Sequence, residues 1–137
     1  MADTLTPSER SERMSRVRSR HTGPELAVRK LVHKLGFRYR LHVSALPGSP
    51  DLVFRRLGKV IFVHGCFWHR HRATTCKLAR LPKSKQEFWV EKLEGNRLRD
   101  AANIRRLRNE GWKVLQIWEC QLKDNAKLER RLALFLG

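Results

Sequence analysis

The order of apolar patterns along the chain predicts one α/β domain in which helices cover a mixed sheet. The first pattern has helical spacing, the next three have the alternation or continuity of strands, and helices, a strand and a helix follow. This order is typical of a sheet with helices packed on it. A length of 137 residues suits a single domain. We divide the chain into a basic arm at 1–21 and a folded domain at 22–137.

The folded domain is predicted to begin with a helix at Thr22. Thr22-Gly-Pro-Glu25 is a capping box with proline in the first turn, where its missing N–H does no harm. Glu25 therefore has a structural explanation as the last residue of this box. An apolar stripe follows, formed by Val28, Leu31, Val32 and Leu35, and Gly36 ends the helix.

Three strands are predicted next, at 37–43, 51–54 and 60–63. Apolar and polar residues alternate in the first, as in a half-buried strand, whereas the third is continuously apolar. Pro47-Gly48 turns the chain before the second strand, and Gly58 marks a hairpin turn before the third.

The second half of the chain begins with a loop at 66–83, which has no apolar face. Ser84-Lys-Gln-Glu87 is a second capping box, and helical spacing then extends to about Asn109, with Gly111 as the cap. The apolar run at 112–118 predicts a strand, and Asp124 caps a last helix.

The charge of the chain favours a polyanion as partner. There are 30 Lys+Arg against 13 Asp+Glu, a formal net charge of +17. Basic proteins bind nucleic acid by releasing its condensed counterions. The alternatives are a merely soluble basic surface and an anionic membrane, but the charge is not confined to one amphipathic helix. Without a long apolar run or a signal-peptide pattern, we expect a soluble cytoplasmic protein.

The arm at 1–21 is polar and has no clear core-forming face. Its arginines are spaced two or three apart, at Arg10, Arg13, Arg16, Arg18 and Arg20. Either the arm is a disordered tail, or it orders along a nucleic-acid groove.

Cys66, His71, Cys76 and Cys120 are candidate zinc ligands. Zinc favours four tetrahedral ligands drawn from thiolate and imidazole, and a set of four protein ligands indicates a structural site. A long loop without a core would be stabilised by such a site. The alternative is three unligated thiols, and His69 competes with His71 for the fourth position.

Asp51 and two histidines are candidates for phosphoryl chemistry. Asp51 starts a strand close to the strand that ends at His64, so it could hold Mg²⁺ against a phosphate, or it could simply bond its own turn. His64 and His69 could move a proton at a scissile phosphate. Asp100 could orient such a histidine, or it could form local ion pairs on a solvated helix face.

Phe67 and Trp68 are adjacent aromatic residues in the predicted loop, where rings can stack on bases or wedge between them. Alternatively, they cover the metal site as a minor core. The pattern around Trp89 favours helix packing, and Trp112 and Trp118 are predicted to be core residues of the last strand.

Several segments together resemble the very-short-patch repair (Vsr) DNA mismatch endonucleases. The most specific are Phe62-Val-His-Gly-Cys-Phe-Trp-His69 and Trp118-Glu-Cys120. The likeness covers nearly the whole chain, and its other segments are Arg13-Met-Ser-Arg16, Leu46-Pro-Gly-Ser-Pro-Asp51, Glu87-Phe-Trp-Val-Glu-Lys92, Asn96 to Asp100 and Gly111-Trp-Lys-Val114.

The resemblance implies a fold of the restriction-endonuclease type and an enzyme that nicks one DNA strand beside a T:G mismatch. The cut would lie on the 5′ side of the mispaired thymine, and such mismatches arise when 5-methylcytosine deaminates. The resemblance also implies a catalytic Mg²⁺ and a structural Zn²⁺.

The resemblance also implies roles for individual residues. Asp51 and the backbone carbonyl of Val63 would bind Mg²⁺, and His64 and Glu25 would hold metal-bound water. His69 would transfer a proton and Asp100 would orient it. The zinc set would be Cys66, His71, Cys76 and Cys120. The DNA-binding residues would be Phe67, Trp68 and Trp89, which intercalate next to the mismatch, and Met14 and Arg16 on the arm.

Two other functions are compatible with the sequence. One is a zinc-stabilised DNA-binding module without catalysis, and the other is a broader defence nuclease on the same fold. Mismatch-repair proteins and a cytosine-5 methyltransferase system are candidate partners of the leading function. We expect a monomer associated with the nucleoid and not with a membrane.

Overall fold

A four-stranded mixed sheet forms the centre of the computed structural model, which describes residues 22–69, 71 and 76–137. Its strands lie in chain order: β1 (Arg40–Leu41), β2 (Leu52–Phe54), β3 (Lys59–His64) and β4 (Lys113–Trp118). The β1–β2 and β2–β3 pairs are antiparallel, and the β3–β4 pair is parallel. The predicted mixed α/β class is therefore confirmed. The arm at 1–21, with Met14 and Arg16, lies outside the described residues.

Helices α1 (Gly23–Lys34), α2 (Gln86–Asn109) and α3 (Asn125–Leu136) flank the sheet. Two of their predicted caps are confirmed. Thr22 Oγ1 accepts a hydrogen bond from the Glu25 amide at 3.3 Å, and Asp124 Oδ1 accepts one from the Lys127 amide at 3.1 Å. Each bond satisfies one of the backbone donors that a helix start leaves unpaired.

Helices cover both faces of the sheet because successive strand residues point to opposite sides. On one face, α1 and α3 pack on the sheet through the buried cluster Val28, Leu31, Val32, Leu52, Phe54, Ile61, Ile117, Leu128, Leu132 and Leu136. On the other face, α2 packs through the smaller cluster Val53, Val60, Phe62, Ile104 and Leu107. The result is a three-layer arrangement with one apolar core on each side of the sheet.

The crossover through α2 places the functional segments at one edge of the sheet. Parallel strands need such a crossover, and their carboxyl ends then meet at the same edge. His64 at the end of β3 pairs with Trp118 at the end of β4. Because β2 runs the other way, its start lies at this edge too, with Asp51 immediately before it.

The turn before β2 packs against α2. Gly48 has a φ of 76°, and a Cβ placed there would lie 3.1 Å from Cβ of Asn103 on α2. A residue with a side chain would therefore meet both a strained backbone and a close neighbour. Glycine at this position allows the turn to approach α2 and fixes the direction in which the chain enters β2.

One predicted feature of α2 is wrong. The second capping box does not form: α2 begins at Gln86, and the preceding Lys85 is left-handed, with a φ of 55° and no side-chain cap bond. The helical region is one continuous helix of 24 residues. Leu98, in the middle of this helix, is 58% exposed and belongs to neither apolar cluster.

The first predicted strand is shorter than its alternating pattern. Phe37, Tyr39 and Leu41 do pack against the core, as the pattern predicts. Only Arg40 and Leu41 pair with β2, however, because His42 has a φ of 48° and leaves the extended conformation. None of the helices in the described ranges combines the length and apolar composition needed to cross a membrane.

Candidate active site and metal-binding clusters

Among the residues that the structure describes, three groups of potential ligands lie at the edge where β3 and β4 end. The first comprises Cys66, His71, Cys76 and Cys120, the second His64, His69 and Asp100, and the third Glu25, His42 and Asp51. Within each group, one ligand atom per residue lies within 4.8 Å of the others. Every catalytic or metal-binding side chain predicted from the sequence falls into one of these groups.

The cysteine group joins the chain after β3 to the chain after β4. Sγ of Cys120 lies 3.4 Å from Nδ1 of His71, and the Cys120 amide donates to Sγ of Cys66 at 3.4 Å. His71 stacks on Trp118, with ring centroids 4.2 Å apart and planes 9° apart. The structure thus places His71, and not His69, with the three cysteines.

The protonation of this group suits a soft or borderline cation. Burial raises the pKa of Cys66 and of Cys120. Partial burial acts to raise the pKa of Cys76 as well, but hydrogen bonds with Cys66 and Cys120 lower it overall. Burial also lowers the pKa of His71, which favours the neutral imidazole that binds metals. Neighbouring thiolates repel one another, so a cation that all of them share would offset this cost.

His69 and Asp100 form a side-chain pair between the loop after β3 and helix α2. Nδ1 of His69 lies 2.5 Å from Oδ2 of Asp100. An ionised carboxylate can only accept, so Nδ1 is the nitrogen that carries the proton. Nε2 is then the atom available for proton exchange with a bound molecule. The interpretation of Asp100 as a purely local ion-pairing residue is therefore wrong.

His64 packs against this pair as a buried group. Its ring lies 4.4 Å from that of His69, and its Nε2 donates to Oε1 of Gln116 at 3.1 Å. Burial, followed by the neighbouring His69, lowers the pKa of His64 to about 4. It is therefore neutral at pH 7 and acts through hydrogen bonds and packing, not through charge.

The third group brings a helix residue to the start of β2. Oε1 of Glu25 lies 2.7 Å from Nε2 of His42, which in turn lies 3.9 Å from Oδ1 of Asp51. The other oxygen of Asp51 accepts the Val63 amide at 2.7 Å. Glu25 is only 2% exposed and also contacts Arg29 at 3.4 Å. Its carboxylate is directed into this group, so the assignment of Glu25 to the capping box alone is wrong.

The electrostatics of this group fit a hard divalent cation. The pKa of Asp51 is raised to about 6, mainly because the group is buried, and the neighbouring Glu25 contributes to this rise. The Val63 amide and His42 act in the opposite direction but do not cancel the burial. Two carboxylates held together repel each other, and oxygen ligands are those that Mg²⁺ prefers. A bound cation of this type would remove the penalty that raises the pKa.

The aromatic residues of the loop form a cluster with the start of α2. The rings of Phe67 and Trp89 lie 5.3 Å apart, and those of Trp68 and Trp89 lie 6.2 Å apart. Asn96 donates to the backbone oxygen of Trp68 at 3.0 Å and ties the loop to α2. Phe88, whose ring lies 5.2 Å from that of Trp89, is 56% exposed. The three predicted aromatics are thus brought together at the surface, and Phe88 extends them.

Sequence reasoning missed three residues of the site and misplaced a fourth. His42 and Asn96 carried no pattern that pointed to function. Gln116 did carry a signal, because it is a polar residue inside an apolar strand. Trp118 was assigned to the core, but it is half-buried and stacks on His71. Trp112 does pack against the smaller apolar cluster, as predicted.

A basic cavity of about 680 Å³ opens beside the His69–Asp100 pair. Its lining includes both of these residues and three arginines of α2: Arg97, Arg105 and Arg108. Arg97 is paired with Glu94 at 2.9 Å, whereas Arg105 and Arg108 are exposed. The cavity therefore offers positive charge next to a proton-exchanging histidine.

Comparison with known proteins gives the family. A family model described as DNA mismatch endonuclease Vsr matches residues 2–75. The type II nicking enzyme V.XorIIP of Xanthomonas oryzae pv. oryzae is 48% identical over 132 residues, which cover 96% of this chain and 95% of the relative. The DNA mismatch endonuclease Vsr of Escherichia coli is 41% identical over 128 residues, covering 93% of this chain and 80% of the relative. The chain therefore belongs to the Vsr family of DNA mismatch endonucleases.

Proposed function

We propose that this protein is a Mg²⁺-dependent endonuclease that nicks one strand of duplex DNA on the 5′ side of the mispaired thymine in a T:G mismatch. One observation supports the chemistry above all. Adjacent residues of β3 link a carboxylate site to a proton-exchange site, because Val63 bonds Asp51 while His64 packs on His69. A phosphodiester bound at this edge would meet both sites.

The carboxylate site would hold the cation through Asp51 and the backbone carbonyl of Val63. A bound Mg²⁺ would supply positive charge to stabilise the charge that develops on the phosphate. Glu25 and His64 would hold water at the site through hydrogen bonds. Because Glu25 is buried and fixed by His42 and Arg29, its carboxylate keeps one orientation without the cost of reorganisation.

The histidine site would handle the proton. Water attacks the phosphorus in line with the leaving 3′ oxygen, the P–O3′ bond breaks, and the products are a 5′-phosphate and a 3′-hydroxyl. Nε2 of His69 would exchange a proton with the water or the leaving oxygen, and Asp100 fixes the tautomer and the ring orientation through Nδ1. General acid–base help of this kind contributes about 10²- to 10⁴-fold.

Mismatch selectivity would come from the aromatic cluster. Phe67, Trp68 and Trp89 would insert beside the mismatch, and the arm with Met14 and Arg16 would bind the opposite groove. A T:G wobble pair costs less to unstack than a matched pair, so wedge insertion favours the mismatch. The loop that carries Phe67 and Trp68 starts at Cys66, so a structural Zn²⁺ on the cysteine group would hold the wedge in place.

The family context suggests a wider cellular role. We propose a cytoplasmic, nucleoid-associated monomer that initiates very-short-patch repair at sites of 5-methylcytosine deamination. A cytosine-5 methyltransferase system would create its substrates, and mismatch-repair proteins are candidate partners. The domain would have the restriction-endonuclease fold.

End-labelled duplexes test the proposed activity and its position. Wild-type protein in Mg²⁺ should nick only the strand with the mispaired thymine, at the bond on its 5′ side. Asp51→Ala and His69→Ala should bind the same duplex without nicking it. Full nicking by Asp51→Ala would exclude the proposed cation site, and cutting of both strands would exclude the strand specificity. Tight binding without nicking by the wild type would favour a non-catalytic binding module.

A further inference from the structure

His42 occupies an unusual position at the edge of the carboxylate site. It directly follows β1, is only 9% exposed, and has a φ of 48° in the left-handed region. A residue other than glycine adopts this conformation only at a cost, so its persistence needs compensating contacts. Those contacts connect His42 to both carboxylate residues of the group.

The backbone of His42 is bonded to Asp51. Its amide donates to the backbone oxygen of Asp51 at 3.1 Å, one step beyond the pairing of Leu41 with Leu52. This bond extends the β1–β2 ladder to the start of β2. The position of His42 relative to Asp51 is therefore set by the register of the sheet.

The side chain of His42 is bonded to Glu25 on α1. Nε2 lies 2.7 Å from Oε1 of Glu25, and because a carboxylate accepts, Nε2 is the donor. Oε2 of the same carboxylate contacts Arg29 at 3.4 Å. Both oxygens of Glu25 thus have a partner. The nearer partner is His42, which lies at the same edge of the sheet as Asp51.

We propose that His42 is a positioning residue for the divalent-cation site, because it holds the carboxylate of Glu25 beside that of Asp51. This inference rests on the proposed role of these two carboxylates. His42 is not a ligand itself: its Nε2 proton is used in the bond to Glu25, and Mg²⁺ prefers oxygen. Residues that orient the groups around a bound metal, including those that hold its water, typically change metal affinity by about 10- to 100-fold when removed.

Two substitutions separate the side-chain contact from the backbone requirement. Asparagine tolerates the left-handed conformation but is too short to reach Glu25, whereas glutamine carries an amide donor on a longer side chain. We expect His42→Asn to weaken binding of Mg²⁺, titrated alone by calorimetry, by about tenfold or more. His42→Gln should recover most of the lost affinity. The control is His33→Gln, which removes an exposed histidine of α1 and should leave Mg²⁺ affinity unchanged.

Three results would overturn the proposal. His42→Asn could bind Mg²⁺ as the wild type does, or His42→Asn and His42→Gln could lose affinity equally. A directly bonded nitrogen could also be detected by pulsed electron paramagnetic resonance of bound Mn²⁺ and disappear in His42→Asn, which would make His42 a ligand. If His42→Asn does not fold, His42→Gly, which relieves the positive φ, replaces it as the truncation.

The same titrations separate this inference from the proposed function. If the wild type binds Mg²⁺ in a way that depends on Asp51 and His42 but does not nick T:G duplexes, the positioning role holds and the proposed function fails. If Asp51→Asn binds Mg²⁺ as tightly as the wild type, the cation site is elsewhere and the positioning role is overturned.

Discussion

Nδ1 of His69 lies 2.5 Å from Oδ2 of Asp100, across the gap between the loop after β3 and helix α2. Asp100 thereby selects the tautomer in which Nε2 of His69 carries no proton, and His69 lines the basic cavity. The pair connects the two parts of the parallel β3–α2–β4 crossover, so the fold itself sets its geometry.

Asp100→Asn tests this pairing. An amide at this position can donate to Nδ1 and so stabilise the wrong tautomer, and we expect the single-turnover nicking rate to fall by about 10²-fold or more. DNA affinity should change little, because Asp100 does not contribute positive charge. Glu91→Gln, an exposed acidic residue on the same helix, is the matched control and should nick normally. Normal nicking by Asp100→Asn would remove the orienting role.

The raised pKa of Asp51 predicts how the stability of the protein depends on pH in buffer without divalent cations. The folded-state pKa of Asp51, about 6, lies above the ordinary value of 3.8, so the folded state favours the protonated carboxyl. The stability that this carboxyl contributes is fully present below pH 3.8 and is lost as the pH rises through 6. Asparagine cannot ionise and mimics the protonated form. The free energy of unfolding of Asp51→Asn, relative to that of the wild type, should therefore be higher at about pH 7.5 than at about pH 4.5 by on the order of 2 kcal/mol.

Urea unfolding at the two pH values measures this difference. Saturating Mg²⁺ should abolish the pH dependence of the difference between the two proteins. The cation binds the ionised carboxylate and therefore stabilises the wild type at the higher pH. A constant difference between the two proteins across this range would mean that the Asp51 carboxyl titrates normally in the folded state.

The cysteine group predicts one tightly bound zinc ion per chain. Cys120→Ser should lose the zinc and reduce the free energy of unfolding by on the order of 4 kcal/mol, because the segments after β3 and β4 are then no longer joined. Elemental analysis and thermal unfolding measure the two effects. Ser84→Ala, an exposed substitution in the loop before α2, is the control. Unchanged zinc content in Cys120→Ser would show that this cysteine is not a ligand.

The exposed arginines of the basic cavity are expected to contact DNA phosphates, whatever the base sequence of the DNA. Replacing Arg105 and Arg108 together by alanine should reduce the slope of log affinity against log salt by about 2, because each phosphate contact contributes about 0.9. The nicking rate at saturating DNA should change little. Arg130→Ala, an exposed arginine on α3 across the sheet, is the control. An unchanged slope in the double variant would place the DNA backbone elsewhere.

The parts of the fold that sequence patterns predicted are those that depend on local rules. The caps at Thr22 and Asp124 and the strands at β2, β3 and β4 follow from side chains close in sequence. The second capping box failed because Lys85 adopts a left-handed conformation, which residue types alone did not reveal. His42 was missed because its contact with Glu25 exists only once α1 packs on the sheet.

The candidate site shows the same division between local and tertiary information. Residues in one dense segment, such as Cys66 and His69, stand out by composition. Their partners Asp100 and Cys120 are distant in sequence, so residue types made them candidates but only the folded chain brings them to His69 and to the cysteine group. The choice between His69 and His71 as the fourth member of the cysteine group required geometry, because both lie on the same loop.

The ratio of nicking rates on T:G and T:A duplexes tests the central claim most directly. The two duplexes should share all flanking bases and be cut under single-turnover conditions in Mg²⁺. If a wobble pair is opened at lower cost by the aromatic wedge, the T:G duplex should be nicked faster by on the order of 10²-fold. Equal rates on the two duplexes would contradict the account, because the protein would then be a nuclease without mismatch selectivity.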